Sequence, residues 1–561
     1  MQKQALIIFV ILVAQFVLLG SVEAKVFYPQ SNLKKSESIK NVKAYALKFL
    51  SQKNVNLHSS SLKLISTQKS ILATHYTYKL VINGYTVESE SLIVSVNSKN
   101  MVQKVYNTIE KVEVEKLATL VSFDQVKSLA WNVLNADESL TFMPKVELDI
   151  RKIRDEHELV YTVSMSVKEP YGHWVVSIRA FDGKVLRVSQ QMSPTKEEVI
   201  TSNKKNKSRM SFIEAQKELQ AKLAVKKFSK ASKLFNLEQG MAKVFDPNPN
   251  TALNSPSIQT SSSDVEFDDA YSEVNLVKLT QENGVYKLAN KDIVLSDFDS
   301  PSNTVSTSSD GVWDFSRNEK GPFLDTMTYF HLQKSIDYLR SLGFSGAKEI
   351  WKRTLKVDSD GARGADNSYY SPASNSLSFG HGCVPDNEDA DVILHELGHA
   401  IQRNIVGSNW SGGDTGAMGE GFGDYWAASY SYTTPNGRDF NPNWVFKWDG
   451  HNSCWGGRQL DRTNMKYSHS KKYGAHQRLS GGVSDELWST PVFQAFVELY
   501  DRGVERSAID TIVIESHFGL SSGLKMRDMA EVMVKTAEAL YPNEDYASVF
   551  EKHFKKNKIL K

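Results

Sequence analysis

Asp391-Val-Ile-Leu-His395-Glu396-Leu-Gly-His399 sets two imidazoles four residues apart in an apolar run. On a helix that spacing brings both rings to one face, one turn apart. There the pair can ligate one Zn²⁺ at about 2.0–2.1 Å per nitrogen. Glu396, beside the first histidine, stands where a general base toward a metal-polarised water is needed. A helix with two structural histidines would carry the same pattern, so the next segment decides. Glu420 follows His399 by twenty-one residues, in Gly419-Glu420-Gly-Phe-Gly-Asp424-Tyr-Trp-Ala. On a second helix packed across the first it completes a three-ligand set. Asp424, one turn further on, can accept a hydrogen bond from a ligand imidazole and fix its tautomer. Two His and one Glu leave a fourth metal position open, which is the catalytic rather than the structural arrangement. One zinc per chain is expected.

The elements that must hold these residues divide the chain. Residues 25 to about 200 read as mixed α+β. His75-Tyr-Thr-Tyr-Lys-Leu-Val-Ile-Asn-Gly-Tyr-Thr-Val alternates in strand fashion about an Asn83-Gly84 turn, a hairpin signal. A helix is predicted over 123–134, with strands over 160–167 and 173–181 and a turn at Asp182-Gly183. From Asn203 the chain turns Lys-rich and helical in pattern to near Lys227, and the Ser-rich stretch 255–264 reads as a loop. From about Asp310 long helices dominate. One, over 323–342, stops at Gly343 as a C-cap would.

At 561 residues the chain exceeds one ordinary core, so two or three domains are expected. A net charge of +2 without a sustained basic stripe sets nucleic-acid binding aside. Lys3, the apolar run 5–19 and Ser21-Val22-Glu23-Ala24 read as a signal peptide cut after Ala24. A membrane anchor is the competing reading. The expected mature protein is secreted, extracellular or periplasmic, with no membrane anchor after processing. Only Cys383 and Cys454 are present. Outside the cytoplasm such a pair is expected to be bridged, and with no CxxC a sulfur-based metal cluster is set aside.

The His-Glu-x-x-His run followed by a Glu-x-x-x-Asp helix resembles the signature of thermolysin-like peptidases. Met418-Gly-Glu-Gly-Phe-Gly-Asp is most similar to the fungalysin branch. Val244-Phe-Asp-Pro-Asn-Pro, Asp325-Thr-Met-Thr-Tyr-Phe-His-Leu and Tyr338-Leu-Arg-Ser-Leu-Gly-Phe resemble further parts of that catalytic region, and 25–200 resembles its paired propeptide modules. The resemblance implies an α+β fold of two lobes: a mixed N-lobe with an edge strand, a mainly helical C-lobe, and the zinc between them. It implies a signal peptide at 1–24, a propeptide at 25–230 and a zinc metallopeptidase domain at 231–561. The implied activity is that of a secreted zinc endopeptidase made as an inactive precursor.

Carried over residue by residue, the resemblance gives zinc to His395, His399 and Glu420, and the base to Glu396. Asn367 and Ser368 match the edge strand that binds substrate backbone. Trp410 stands where a tyrosine often stabilises the oxyanion. Arg458 resembles the arginine that grips a substrate carbonyl, with Arg462 as competitor. His476 resembles the late oxyanion donor, although alignment on Asp485-Glu-Leu-Trp sets Gly482 in that place. Asp391 matches a calcium-ligand position, but Ser431 stands where a second carboxylate is needed, so no Ca²⁺ is predicted. The implied partners are protein or peptide substrates and the chain's own propeptide, as intramolecular inhibitor and chaperone, cut within 203–230. Two other readings stand beside this one: a non-catalytic secreted binding protein on the same scaffold, and a zinc hydrolase of a non-peptide amide or ester.

Overall fold

A computed structural model describes residues 24–29, 31–32, 39–112, 121–136, 140–153, 156–197, 210–227, 237–407 and 410–561. Residues 1–23 of the expected signal segment lie outside that set, as do 203–209 and 228–230 of the Lys-rich run. Among the described residues no helix is long and apolar enough to cross a membrane.

The class is mixed α+β, organised around two main hydrophobic cores. In the N-terminal region alternating side chains make a ten-stranded sheet. The Asn83-Gly84 pair joins strands Thr74–Ile82 and Tyr85–Val96, both residues having positive φ, at 50° and 87°. That is the twist a two-residue hairpin turn demands. Strands Glu156–Val167 and Gly172–Arg179 pair in register from Val160↔Arg179 to Val167↔Gly172. Helix Phe123–Val133 starts on a capping box between Ser122 and Gln125, and buries Val126, Ala130 and Trp131 in the sheet's core.

Strand Leu140–Ile153 escaped the sequence reading because Pro144 interrupts its alternation. The register shifts between Phe142 and Lys145 absorb the missing N–H. A second difference concerns the Lys-rich run, expected to be an exposed site of cleavage. Its described part is the helix Phe212–Lys227, which buries Phe212, Ala215 and Leu219 in the N-terminal core. Phe212 meets Trp131 edge-on at 5.9 Å, and the Trp131 indole N–H donates to the Met210 carbonyl.

Among the described residues the C-terminal region has seven long helices, one five-stranded sheet, and four strands of a second whose fifth strand is Ser193–Pro194 of the N-terminal region. Helix Lys320–Ser341 ends two residues before Gly343, which takes φ +99°. Helices Ala390–Val406 and Thr415–Tyr432 are almost wholly buried and pack on one another at two glycines. A Cβ on Gly398 would stand 2.9 Å from the Gly423 Cα, so small residues are what let these helices touch. Cys383 and Cys454 form a disulfide across 71 residues.

The two regions meet through buried polar contacts. Glu515 accepts hydrogen bonds from the Ser70 hydroxyl and from the Ile71 and Leu72 backbone N–H groups. His75 is buried between the Ser70 and Ser95 hydroxyls and stacks on Phe518 at 5.7 Å, while Lys104 donates to the Phe518 carbonyl.

Candidate functional site

The helix Ala390–Val406 begins at Asp389, whose carboxylate caps the Asp391 N–H. His395 and His399 follow on one face, their rings 4.9 Å apart and nearly perpendicular. Glu420 comes across from Thr415–Tyr432. Its oxygens lie 3.3 Å from His395 Nε2 and 3.4 Å from His399 Nε2. Ligand atoms of all three lie within 4.8 Å of one another, and the residues are buried. The two Nε2 atoms and Glu420 Oε2 have no hydrogen-bond partner among the described residues. Buried polar atoms are rarely left so, and an inward-facing set of two imidazoles and a carboxylate could hold a divalent metal. Behind it, Asp424 Oδ1 lies 3.1 Å from His395 Nδ1. Gly423 is the glycine this needs, since a Cβ there would stand 2.6 Å from that same nitrogen.

Burial pushes the Glu396 carboxyl up to about 8. Burial works against a proton on His395, but the Asp424 and Glu420 carboxylates outweigh it and raise the ring to about 9.

Residues 193–196 of the N-terminal region cross this site. Strand Ser193–Pro194 pairs antiparallel with Tyr369–Ser371, an edge strand of the C-terminal region. The Thr195 N–H donates to the Ser368 carbonyl at 3.0 Å. Asn367 clamps the next residue twice, accepting from the Lys196 N–H at 3.0 Å and donating to the Lys196 carbonyl at 3.2 Å. The Pro194 carbonyl accepts from His476 Nε2 at 2.9 Å, and the Thr195 carbonyl accepts from Arg458. The Thr195 hydroxyl donates to Glu396.

Each of these groups is oriented from behind. His476 Nδ1 faces the Asp485 carboxylate at 2.8 Å, so both ring nitrogens point at acceptors. Burial opposes a charge there, but Glu420 and Asp485 raise its pKa. Arg458 donates to Asp424 at 2.6 Å and is 3% exposed. Arg462 instead pairs with Glu486, and Gly482 lies against Glu486 and Met465. Thus His395, Glu396, His399, Glu420, Asp424, Asn367, Ser368, Arg458 and His476 are brought together. Trp410 is not joined to them by a hydrogen bond. It lines the cleft near Gly419 with its indole N–H unpartnered among the described residues. Asp391 lies beyond the site, accepting from Ser431 and from the Phe446 N–H.

Sequence reasoning missed Pro194, Thr195 and Lys196, and the orienting role of Asp485. It also missed Asp366, Asp386 and Asp449, whose carboxylates enclose the Lys196 ammonium.

No family model matches the chain, and no curated protein matches it. Among solved structures, the Bacillus megaterium YpeB C-terminal domain aligns with 29% of this chain and 70% of its own length, at 15% identity and a TM-score of 0.17. At that score the likeness carries no argument.

Proposed function

We propose that this chain is a zinc-dependent endopeptidase of the thermolysin–fungalysin kind, exported as a precursor whose N-terminal region occupies its own cleft. The observation that carries the reading is the path of residues 193–196. A stretch of polypeptide lies on an edge strand, main chain to main chain, with consecutive carbonyls on His476 and Arg458 and Glu396 beneath. An arrangement that grips backbone atoms suits peptide substrates better than a small amide. The disulfide fits an oxidising compartment.

His395, His399 and Glu420 would hold the zinc, which supplies a Lewis acid for the carbonyl and lowers the pKa of a bound water. The chain's own groups do the rest. Asn367, Ser368 and Arg458 fix the backbone on the amine side of the scissile bond. His476, held by Asp485, donates to the carbonyl oxygen where negative charge develops. Glu396 receives the proton of the attacking water at a carboxylate oxygen and hands it to the departing nitrogen. Asp424 keeps both His395 and Arg458 in position. In the precursor the bond so presented is Pro194–Thr195, which replaces 203–230 as the proposed first cut.

Casein digestion by the secreted protein, with and without chelator, tests the reading. Digestion that stops with chelator and returns with added zinc is the expected result. A protein that binds casein without cutting it, or cuts only esters and small amides, would overturn it.

A further inference from the structure

Lys196 follows the Pro194–Thr195 bond by one residue, and its side chain enters a pocket outside the metal site. Its ammonium lies 2.6 Å from Asp366, 3.0 Å from Asp386 and 2.9 Å from Asp449. The Lys196, Asp386 and Asp449 side chains are 3%, 0% and 0% exposed. Trp455 closes the pocket, with the ammonium 5.4 Å from its ring centroid. The second Asp386 oxygen accepts from the Ser368 hydroxyl at 2.6 Å, while Asp449 Oδ2 has no partner among the described residues.

Resting on the peptidase reading, we propose that Asp366, Asp386, Asp449 and Trp455 form a subsite that selects a lysine at the second residue after the cleaved bond. Two independent features point there. First, the pocket belongs to the same wall as the backbone clamp. Asn367 and Ser368 hold residues 195 and 196, and Asp366 and Ser368 touch the lysine or its carboxylate partner. Any chain held in that register therefore sends the same side chain inward. Second, the charge is unbalanced. One ammonium faces three carboxylates, and burial, with Asp386 beside it, pushes the Asp449 carboxyl well above its usual range. Buried acids without a cation are costly, so the pocket is shaped for a cationic occupant rather than for stability. An ammonium presents three N–H donors to three separate carboxylates. A planar guanidinium favours a paired carboxylate instead, so lysine is preferred over arginine.

The test uses the processed wild-type enzyme and quenched-fluorescent peptides of one sequence, with Lys, Arg, norleucine or Glu at the second position after the cut. Lysine is expected to exceed norleucine in kcat/KM by roughly 100-fold or more, since a site built for a polar group rejects its apolar analogue strongly. Arginine should fall between them and glutamate below. In Asp449→Asn the lysine-to-norleucine ratio should fall toward one. Equal chelator-sensitive cleavage of all four peptides overturns the subsite and leaves the peptidase reading standing. Ca²⁺ that binds the enzyme in an Asp449-dependent way, with no lysine preference in its absence, would reassign the pocket to a metal and overturn the subsite. No chelator-sensitive cleavage of any peptide overturns both.

Discussion

The Thr195 hydroxyl donates to the Glu396 carboxylate across 201 residues of sequence. The N-terminal region thus reaches the group proposed as general base and covers it. Whatever enters the cleft must first displace this contact and the clamp around it.

Glu396→Gln tests that role directly. The amide keeps the size and loses the base, so activity should drop by about 10²–10⁴-fold while metal content is retained. The variant should accumulate as the uncut chain. Wild-type protein from the medium should yield a fragment with Thr195 at its N-terminus. Edman or mass-spectrometric sequencing checks this, and a first cut anywhere in 203–230 would contradict it.

Metal content is the second test. Zinc should be present at about one per chain, with two His and one Glu as its ligands. His399→Ala removes one ligand and should lose both metal and activity. Elemental analysis giving equal zinc in wild type and His399→Ala would remove His399 from the ligand set.

His476 and Arg458 should separate kinetically. His476 touches the carbonyl oxygen of the bond proposed to be cut, so His476→Ala should lower kcat by about 10²–10³-fold with KM little changed. Arg458 grips the next carbonyl and also braces Asp424, so Arg458→Lys should raise KM as well. A His476→Ala enzyme with full kcat would return the oxyanion role to another group, with Trp410 next in line.

Acid should loosen the two regions from one another. Burial pushes His75 down to about 3, with Lys104 adding to the effect. Docked, the ring is neutral, whereas released it titrates near 6.5. Its contribution is therefore complete above pH 6.5 and is lost as pH falls from 6.5 toward 3, at up to about 1.4 kcal/mol per pH unit. Glu515, raised by burial, acts in the opposite sense, its contribution fading as pH rises through its shifted pKa. Lys104, lowered by burial to about 8, loses its contribution between its ordinary value and about 8, above the His75 window. In His75→Gln the loss between pH 6.5 and 3 should be flattened. Light scattering or native electrophoresis of the cut protein across that range measures it, and identical acid midpoints would exclude His75.

How much of this was legible in the sequence follows from distance along the chain. His395 with His399, and Glu420 with Asp424, could be read because a helix turns spacings of four into neighbours, while joining the two pairs into one set rested on the resemblance to thermolysin-like peptidases. The Asn83-Gly84 hairpin was readable for a like reason, its turn chemistry being local. Arg458 and Arg462 are four residues apart and equally cationic. Only the fold, by turning one toward Asp424 and the other toward Glu486, distinguishes them. Lys196 and its three aspartates span 253 residues, and nothing in a Lys between Thr195 and Glu197 marks it as buried. Strand Leu140–Ile153 was hidden by Pro144, a residue that speaks against strands unless a bulge accommodates it.

The contact that closes the cleft is made by the same chain that it closes, and this fixes how release must behave. On the proposed reading, while the Pro194–Thr195 bond is intact the segment would compete as a tethered ligand, at an effective concentration that external substrate does not match. Were that bond cut as proposed, residues 25–194 would hold to the rest as one molecule holds another, through the Glu515, His75 and Lys104 contacts. Occupancy of the cleft then depends on protein concentration. If the chain is exported and cut as proposed, the two pieces would stay together at high protein concentration and part on dilution.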